Sequence, residues 1–98
     1  MCYYIDSHCH LTDKRYCSQI EVVKRANDSG VKTLVDIGWD ETSTLQAKDN
    51  SETFACVYFS AGIHPSESLK SSDNRPIEAL LTHDKCVAVG EIGLDYHY

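Results

Sequence analysis

Phe54-Ala55-Cys56-Val57-Tyr58-Phe59-Ser60-Ala61 is apolar at every position except Ser60. A strand with one face in water alternates polar and apolar residues. A near-continuous apolar run of this length is what a strand covered on both faces looks like, as in a parallel sheet flanked by helices. Similar segments lie on either side of it. Upstream, Val31-Lys32-Thr33-Leu34-Val35-Asp36-Ile37 reads as a strand closed by Gly38, and Tyr3-Tyr4-Ile5-Asp6-Ser7 as a shorter one. Downstream, Cys86-Val87-Ala88-Val89 is stopped by Gly90.

The intervals between these strands have helical character. Over 18–29, Ile20, Val23 and Asn27 share a face flanked by Val22 and Ala26, the 3.6 period of an amphipathic helix. Ser18 can cap that helix, with Glu21 three residues later completing a capping box. Gly30 suits the left-handed position that ends it. Asp40 reads as the N-cap of a second, weaker helix through about residue 50. A polar loop over 66–73 leads to a third helix over 75–82, where Pro76 suits the first turn and Ile77, Leu80 and Leu81 supply the buried face. Strand, helix, strand, helix, strand, helix, strand predicts an α/β fold with a parallel sheet, in one domain spanning residues 1–98.

Nine basic against fifteen acidic side chains leave a net charge of −6. A protein that grips nucleic acid through a basic face is not built this way, so an anionic substrate would have to be met by a metal ion. No apolar run is long enough to cross a membrane, and the first ten residues lack a signal-peptide pattern. The five cysteines, Cys2, Cys9, Cys17, Cys56 and Cys86, are odd in number and contain no Cys-x-x-Cys pair. That predicts reduced thiols and a cytoplasmic location, with Cys56 and Cys86 serving as small hydrophobes.

In such folds chemistry sits at the carboxyl ends of the strands. The first strand delivers His8 and His10 there, the second Trp39 and Asp40, the third His64, and the fourth Glu91 and Asp95. In extended backbone, residues i and i+2 share a face. His8 and His10 can then meet one ion while Cys9 points away, and Glu91 completes a reasonable ligand set for Zn, Mn, Fe or Co. Asp6 either orients His8 or is an interior polar residue of the sheet. His64 either closes a turn or contacts substrate. Trp39 either stacks on a substrate ring or covers the rim, and Lys14 and Arg15 either touch a phosphate or are simply solvated. His83, at the end of the third helix, is explained by the helix terminus.

Ile5-Asp6-Ser7-His8-Cys9-His10-Leu11, Gly62-Ile63-His64-Pro65 and Gly90-Glu91-Ile92-Gly93-Leu94-Asp95-Tyr96, in this order and spacing, resemble the TatD family of metal-dependent deoxyribonucleases. The last motif is the most specific. The resemblance implies a (β/α)₈ TIM barrel, of which four parallel strands and three intervening helices are represented here. It implies that His8 and His10 bind one divalent metal, that Glu91 is catalytic and bridges two ions (Zn, Mn or Mg), and that His64 and Asp95 line the site. It implies hydrolysis of phosphodiester bonds in DNA, often from a 3′ end. Thr12 departs from the family, where an acidic residue is common.

The family's further metal-binding histidines and late-strand aspartate fall beyond Tyr98. The expectation is therefore an incomplete barrel, weakly active or inactive by itself, with a second chain as one source of the missing half. Its sheet edges should be unpaired and the chain alone prone to associate, and the third strand, the most apolar, should be the worst offender if left uncovered. Two other readings are an inactive metal-binding remnant and an amidase- or deaminase-type hydrolase. The Gly-Glu-Ile-Gly-Leu-Asp segment favours the nuclease over the last of these, because amidase-type relatives commonly place a lysine at that strand end.

Overall fold

The computed structural model describes residues 3–64 and 75–92. Asp95, His97, Cys2 and the loop expected at 66–73 lie outside the described residues. Seven elements follow in order: β1 (Tyr4–Cys9), α1 (Gln19–Asp28), β2 (Val31–Ile37), α2 (Glu41–Thr53), β3 (Val57–Ala61), α3 (Arg75–Leu80) and β4 (Cys86–Val89). The strands form one parallel sheet in the order β1-β2-β3-β4. This is the expected four-stranded part of a (β/α)₈ barrel.

Helices cover the sheet through two clusters. Leu11, Val23, Leu34 and Val57 pack with Val22, Ala26 and Cys56 around α1. Ala47, Phe59, Ala61 and Ile77 pack with Leu80 and Cys86 around α2 and α3. Cys56 and Cys86 thus pack as small hydrophobes, and their thiols are free.

Local details differ from expectation for physical reasons. On α1, Val22, Val23 and Ala26 make the contact, while Ile20, in the first turn, is 67% exposed. Ser18 accepts from the Glu21 amide, and Gly30 is left-handed at φ 96°. The reciprocal capping box forms at α2 instead, between Asp40 and Ser43. There the Asp40 carboxylate accepts from the Ser43 amide at 2.7 Å, and Ser43 Oγ accepts from the Trp39 and Asp40 amides at 2.8 and 3.0 Å.

α2 runs past residue 50 to Thr53, so residues 54–56 form its exit and β3 begins only at Val57. A side chain distant in sequence finishes this helix: Lys85 Nζ donates to the carbonyls of Ser51, Phe54 and Ala55 at 2.7, 3.0 and 3.0 Å. Carbonyls at a helix end have no partner within the helix, and a cation there is favourable. α3 stops at Leu80 in tight turns, Leu81 N to Glu78 O and His83 N to Leu80 O, which leaves Leu81 exposed rather than on the buried face.

The condition attached to β3 is not met, because the strand is not left uncovered. β3 is central and its Val57, Phe59 and Ala61 are fully buried. Within the sheet, the exposed large apolar side chains lie on the edge strands: Tyr4 and Ile5 of β1, at 62% and 69%, and Val87 and Val89 of β4, at 54% and 55%.

Candidate metal centre

β1 extends through Cys9, so His8 lies inside the strand rather than after it. Its pairing with β2 slips at that point. Asp6 opposes Leu34 and Cys9 opposes Asp36, so three steps along β1 match two along β2. Such an irregularity frees an amide from the ladder and re-aims side chains. The His8 amide instead donates to Asp6 Oδ1 at 3.1 Å. Asp6 therefore orients His8 through its backbone, and it is exposed rather than interior. Cys9 turns away, as expected. Its thiol donates to the Val35 carbonyl at 3.3 Å and packs on the α1 cluster. Burial, helped by Asp36 and Asp6, pushes that thiol up to about 12, and the thiol is not part of the His8, His10 and Glu91 cluster.

The His8 and His10 rings meet at 5.1 Å, nearly perpendicular at 80°. Just beyond, the Leu11 amide donates to Asp36 Oδ1 at 3.0 Å, and Asn50 Nδ2 donates to Asp36 Oδ2 at 3.0 Å. Asp36 is fully buried. Desolvation raises its carboxyl above the usual range, opposed by those hydrogen bonds and by nearby His10. Asp36 thus ties the exit of β1 to β2 and α2. Sequence reasoning did not single it out, although an acid between Val35 and Ile37 in an apolar strand is a signal that a buried polar role exists.

Glu91 reaches the same rim through backbone contacts across β2 and β3. Its amide donates to the Gly38 carbonyl at 2.7 Å, the Gly90 amide donates to the Ala61 carbonyl at 2.9 Å, and Ser60 Oγ donates to the Gly90 carbonyl at 2.8 Å. Gly62 makes this fit possible. A Cβ there would stand 2.5 Å from Gly90 C and 2.6 Å from Glu91 O, so only glycine lets the 90–91 backbone pass.

Ligand atoms of His8, His10 and Glu91 lie within 4.8 Å of one another. Atoms bound to one ion at about 2.0–2.2 Å stand roughly 3–4 Å apart, so small side-chain rotations close the set. His10 Nδ1 is buried with no hydrogen-bond partner among the described residues. That is unusual for a polar atom and fits an imidazole whose partner is an ion. Two nitrogens and a carboxylate suit Zn, Mn, Fe or Co, so the residues present fit a divalent metal.

An open cleft of about 330 Å³ is lined by His10, Asp13, Trp39, His64 and Glu91. His64 is thereby brought to the site, its amide donating to the Trp39 carbonyl at 2.6 Å. It is not in the three-residue ligand cluster. Trp39 meets His10 edge-on at 5.3 Å and 72°. Arg15 is locked to Asp13 by two side-chain bonds of 3.0 and 2.8 Å, which hold the Asp13 carboxyl down at about 2. His83 lies three residues past the end of α3, 3.3 Å from Glu52 and edge-on to Phe59, so these two side chains set its surroundings.

Parallel barrel strands that bring two imidazoles and a carboxylate to one rim define the class of metal-dependent barrel hydrolases. The comparisons agree. The profile of the family described as TatD related DNase matches residues 5–98. The uncharacterized metal-dependent hydrolase YabD of Bacillus subtilis is 34% identical over 96 residues, covering 95% of this chain and 38% of that protein. The 3′-5′ ssDNA/RNA exonuclease TatD of Citrobacter koseri is 34% identical over 79 residues, covering 79% of this chain and 30% of that protein. The crystal structure of YjjV, a TatD homolog from Escherichia coli K12, superposes with a TM-score of 0.79 at 30% identity, covering 97% of this chain and 39% of that one. The chain belongs to the TatD family of metal-dependent hydrolases. It spans about two-fifths or less of the length of these relatives.

Proposed function

We propose that this chain supplies the first part of the metal centre of a phosphodiesterase acting on DNA. The observation that carries the reading is the convergence of His8, His10 and Glu91 at the rim. A divalent ion held there supplies Lewis acidity toward a phosphodiester and an activated water. The remaining work belongs to the chain's own residues. Asp6 fixes the His8 backbone, Asp36 fixes the turn after His10, and the Gly38, Ser60 and Gly62 contacts fix Glu91. Such supporting contacts orient ligands and sustain their affinity. His64 lines the cleft beside them, and Asp95 belongs to the glutamate motif. The family resemblance implies a second ion, which Glu91 would help to hold together with residues on later strands.

The experiment joins this chain to strands five to eight of a TatD relative and follows nucleotide release from the 3′ end of single-stranded DNA with Mn²⁺. Metal-dependent release that Glu91→Gln abolishes is expected, with little or none from the 98-residue chain alone. Hydrolysis of amide or deaminase substrates in preference to DNA would overturn the reading.

A further inference from the structure

A groove of about 560 Å³ leads away from the metal rim between the segment after β1 and the start of α2. Its walls include Thr12, Lys14, Trp39, Thr42 and Gln46, and it shares Asp13 and Trp39 with the cleft that holds His10 and Glu91. The volume falls within the roughly 300–1,000 Å³ of ordinary ligand sites. We propose that this groove is a subsite for one nucleotide of single-stranded DNA, with the base against the Trp39 indole and the adjoining phosphate on Lys14. The inference rests on the phosphodiesterase reading above and adds to it where the strand lies.

Three observations support the assignment. His10 meets Trp39 at 72° rather than in parallel, so it occupies at most one of the two indole faces. Stacking on an aromatic face is how single strands are held without reading sequence. Lys14 is exposed and makes no hydrogen bond or ion pair among the described residues, whereas its neighbour Arg15 is committed to Asp13. A lysine left as a free cation at the groove wall is suited to a phosphate. The two acids of the groove are already engaged. Asp13 is paired with Arg15, and the Asp40 carboxylate caps α2. Counting Arg15 with its partner, two cations (Lys14, Arg15) stand against two anions (Asp13, Asp40) here, while the chain as a whole carries −6.

Trp39 is the single tryptophan of the sequence, so the full chain reports on the subsite directly. The probes are hexathymidylate and an abasic sugar-phosphate hexamer of equal charge, each titrated with Mn²⁺ present, read by Trp39 emission and by anisotropy of a fluorescein label. Hexathymidylate should change Trp39 emission, and the abasic hexamer should not. Trp39→Leu should weaken hexathymidylate alone by about 5–150-fold, with Trp39→Phe restoring most of it. Lys14→Gln should weaken both probes equally and lower the salt dependence by about one phosphate contact. Hexathymidylate that binds with no change in Trp39 emission and equal affinity in the Lys14 and Trp39 variants would overturn the subsite and leave the phosphodiesterase reading standing. Failure of both probes to bind with the metal present would likewise overturn the subsite, while the phosphodiesterase reading stands or falls on nucleotide release by the fused barrel.

Discussion

Gly62→Ala adds one methyl group, yet the structure predicts that it disables the candidate metal centre. The new Cβ would lie 2.5 Å from Gly90 C, 2.6 Å from Glu91 O and 2.7 Å from Gly90 O, against about 3.4 Å for ordinary contact. The shortfall is about 0.9 Å at the first of these atoms, and all three belong to backbone, which cannot rotate aside. The 90–91 segment has to retreat by a comparable distance. That strains the Gly90–Ala61, Glu91–Gly38 and Ser60–Gly90 hydrogen bonds, each worth about 0.5–1.5 kcal/mol. Overpacking of this kind costs about 1–3 kcal/mol in stability. Displacing the backbone that carries Glu91 should also lower divalent-metal affinity by about 10–100-fold, the scale seen when ligand support is lost. Thermal melts without metal and calorimetric Mn²⁺ titration measure the two effects separately. An alanine variant with unchanged melting temperature and unchanged Mn²⁺ affinity would refute the argument that Gly62 sets the position of Glu91.

Four further outcomes follow from particular contacts. Asp36→Leu leaves the Leu11 amide and Asn50 Nδ2 without their acceptor and should cost about 2–4 kcal/mol in denaturant unfolding, whereas Asp36→Asn, which keeps an oxygen for Leu11, should cost far less; equal losses would contradict this account of the turn. Because burial raises the Asp36 carboxyl, its ionisation opposes folding: this contribution is absent at low pH and grows as pH rises through the raised value, so Asp36→Asn should flatten the decline in stability on that side. Lys85→Ala uncaps three carbonyls at the end of α2 and should destabilise by about 1.5–3 kcal/mol, read from urea midpoints; an unchanged midpoint would show that water replaces the ammonium without cost. With its thiol pushed up to about 12, Cys9 should be about 10⁻⁴ thiolate at pH 8 and resist iodoacetamide in the folded chain, while exposed Cys17 is alkylated; mass spectrometry showing Cys9 modified first would contradict its placement.

Much of the framework was legible because it rests on local chemistry. The apolar run ending at Ala61 marked a strand covered on both faces, Ser18 and Asp40 marked helix starts, and Gly30 marked a stop. The candidate ligands were legible for a related reason: strand ends in a parallel α/β fold share one rim, so His8, His10 and Glu91 could be placed together from strand boundaries alone. What stayed hidden depends on partners distant in sequence. α2 looked weak because its buried face is Ser43, Thr44, Ala47 and Ser51 rather than large apolar residues, and its end is fixed by Lys85, more than thirty residues away. The slip in β1 at His8 and the tie from Asp36 to Leu11 arise only when β1 and β2 pair. The exposure of β1 and β4 follows from strand order, not from hydrophobicity, which is why the most apolar strand proved the best covered.

The central claim is that His8, His10 and Glu91 hold a divalent ion. Mn²⁺, a hard cation with little affinity for the free thiols, can be titrated into the purified chain and its free fraction followed by electron paramagnetic resonance. The account predicts saturable binding by the wild-type chain that is largely lost in the His8→Ala, His10→Ala double variant and in Glu91→Gln, with all three proteins equally folded by circular dichroism. Binding of equal affinity and stoichiometry in the variants would contradict it.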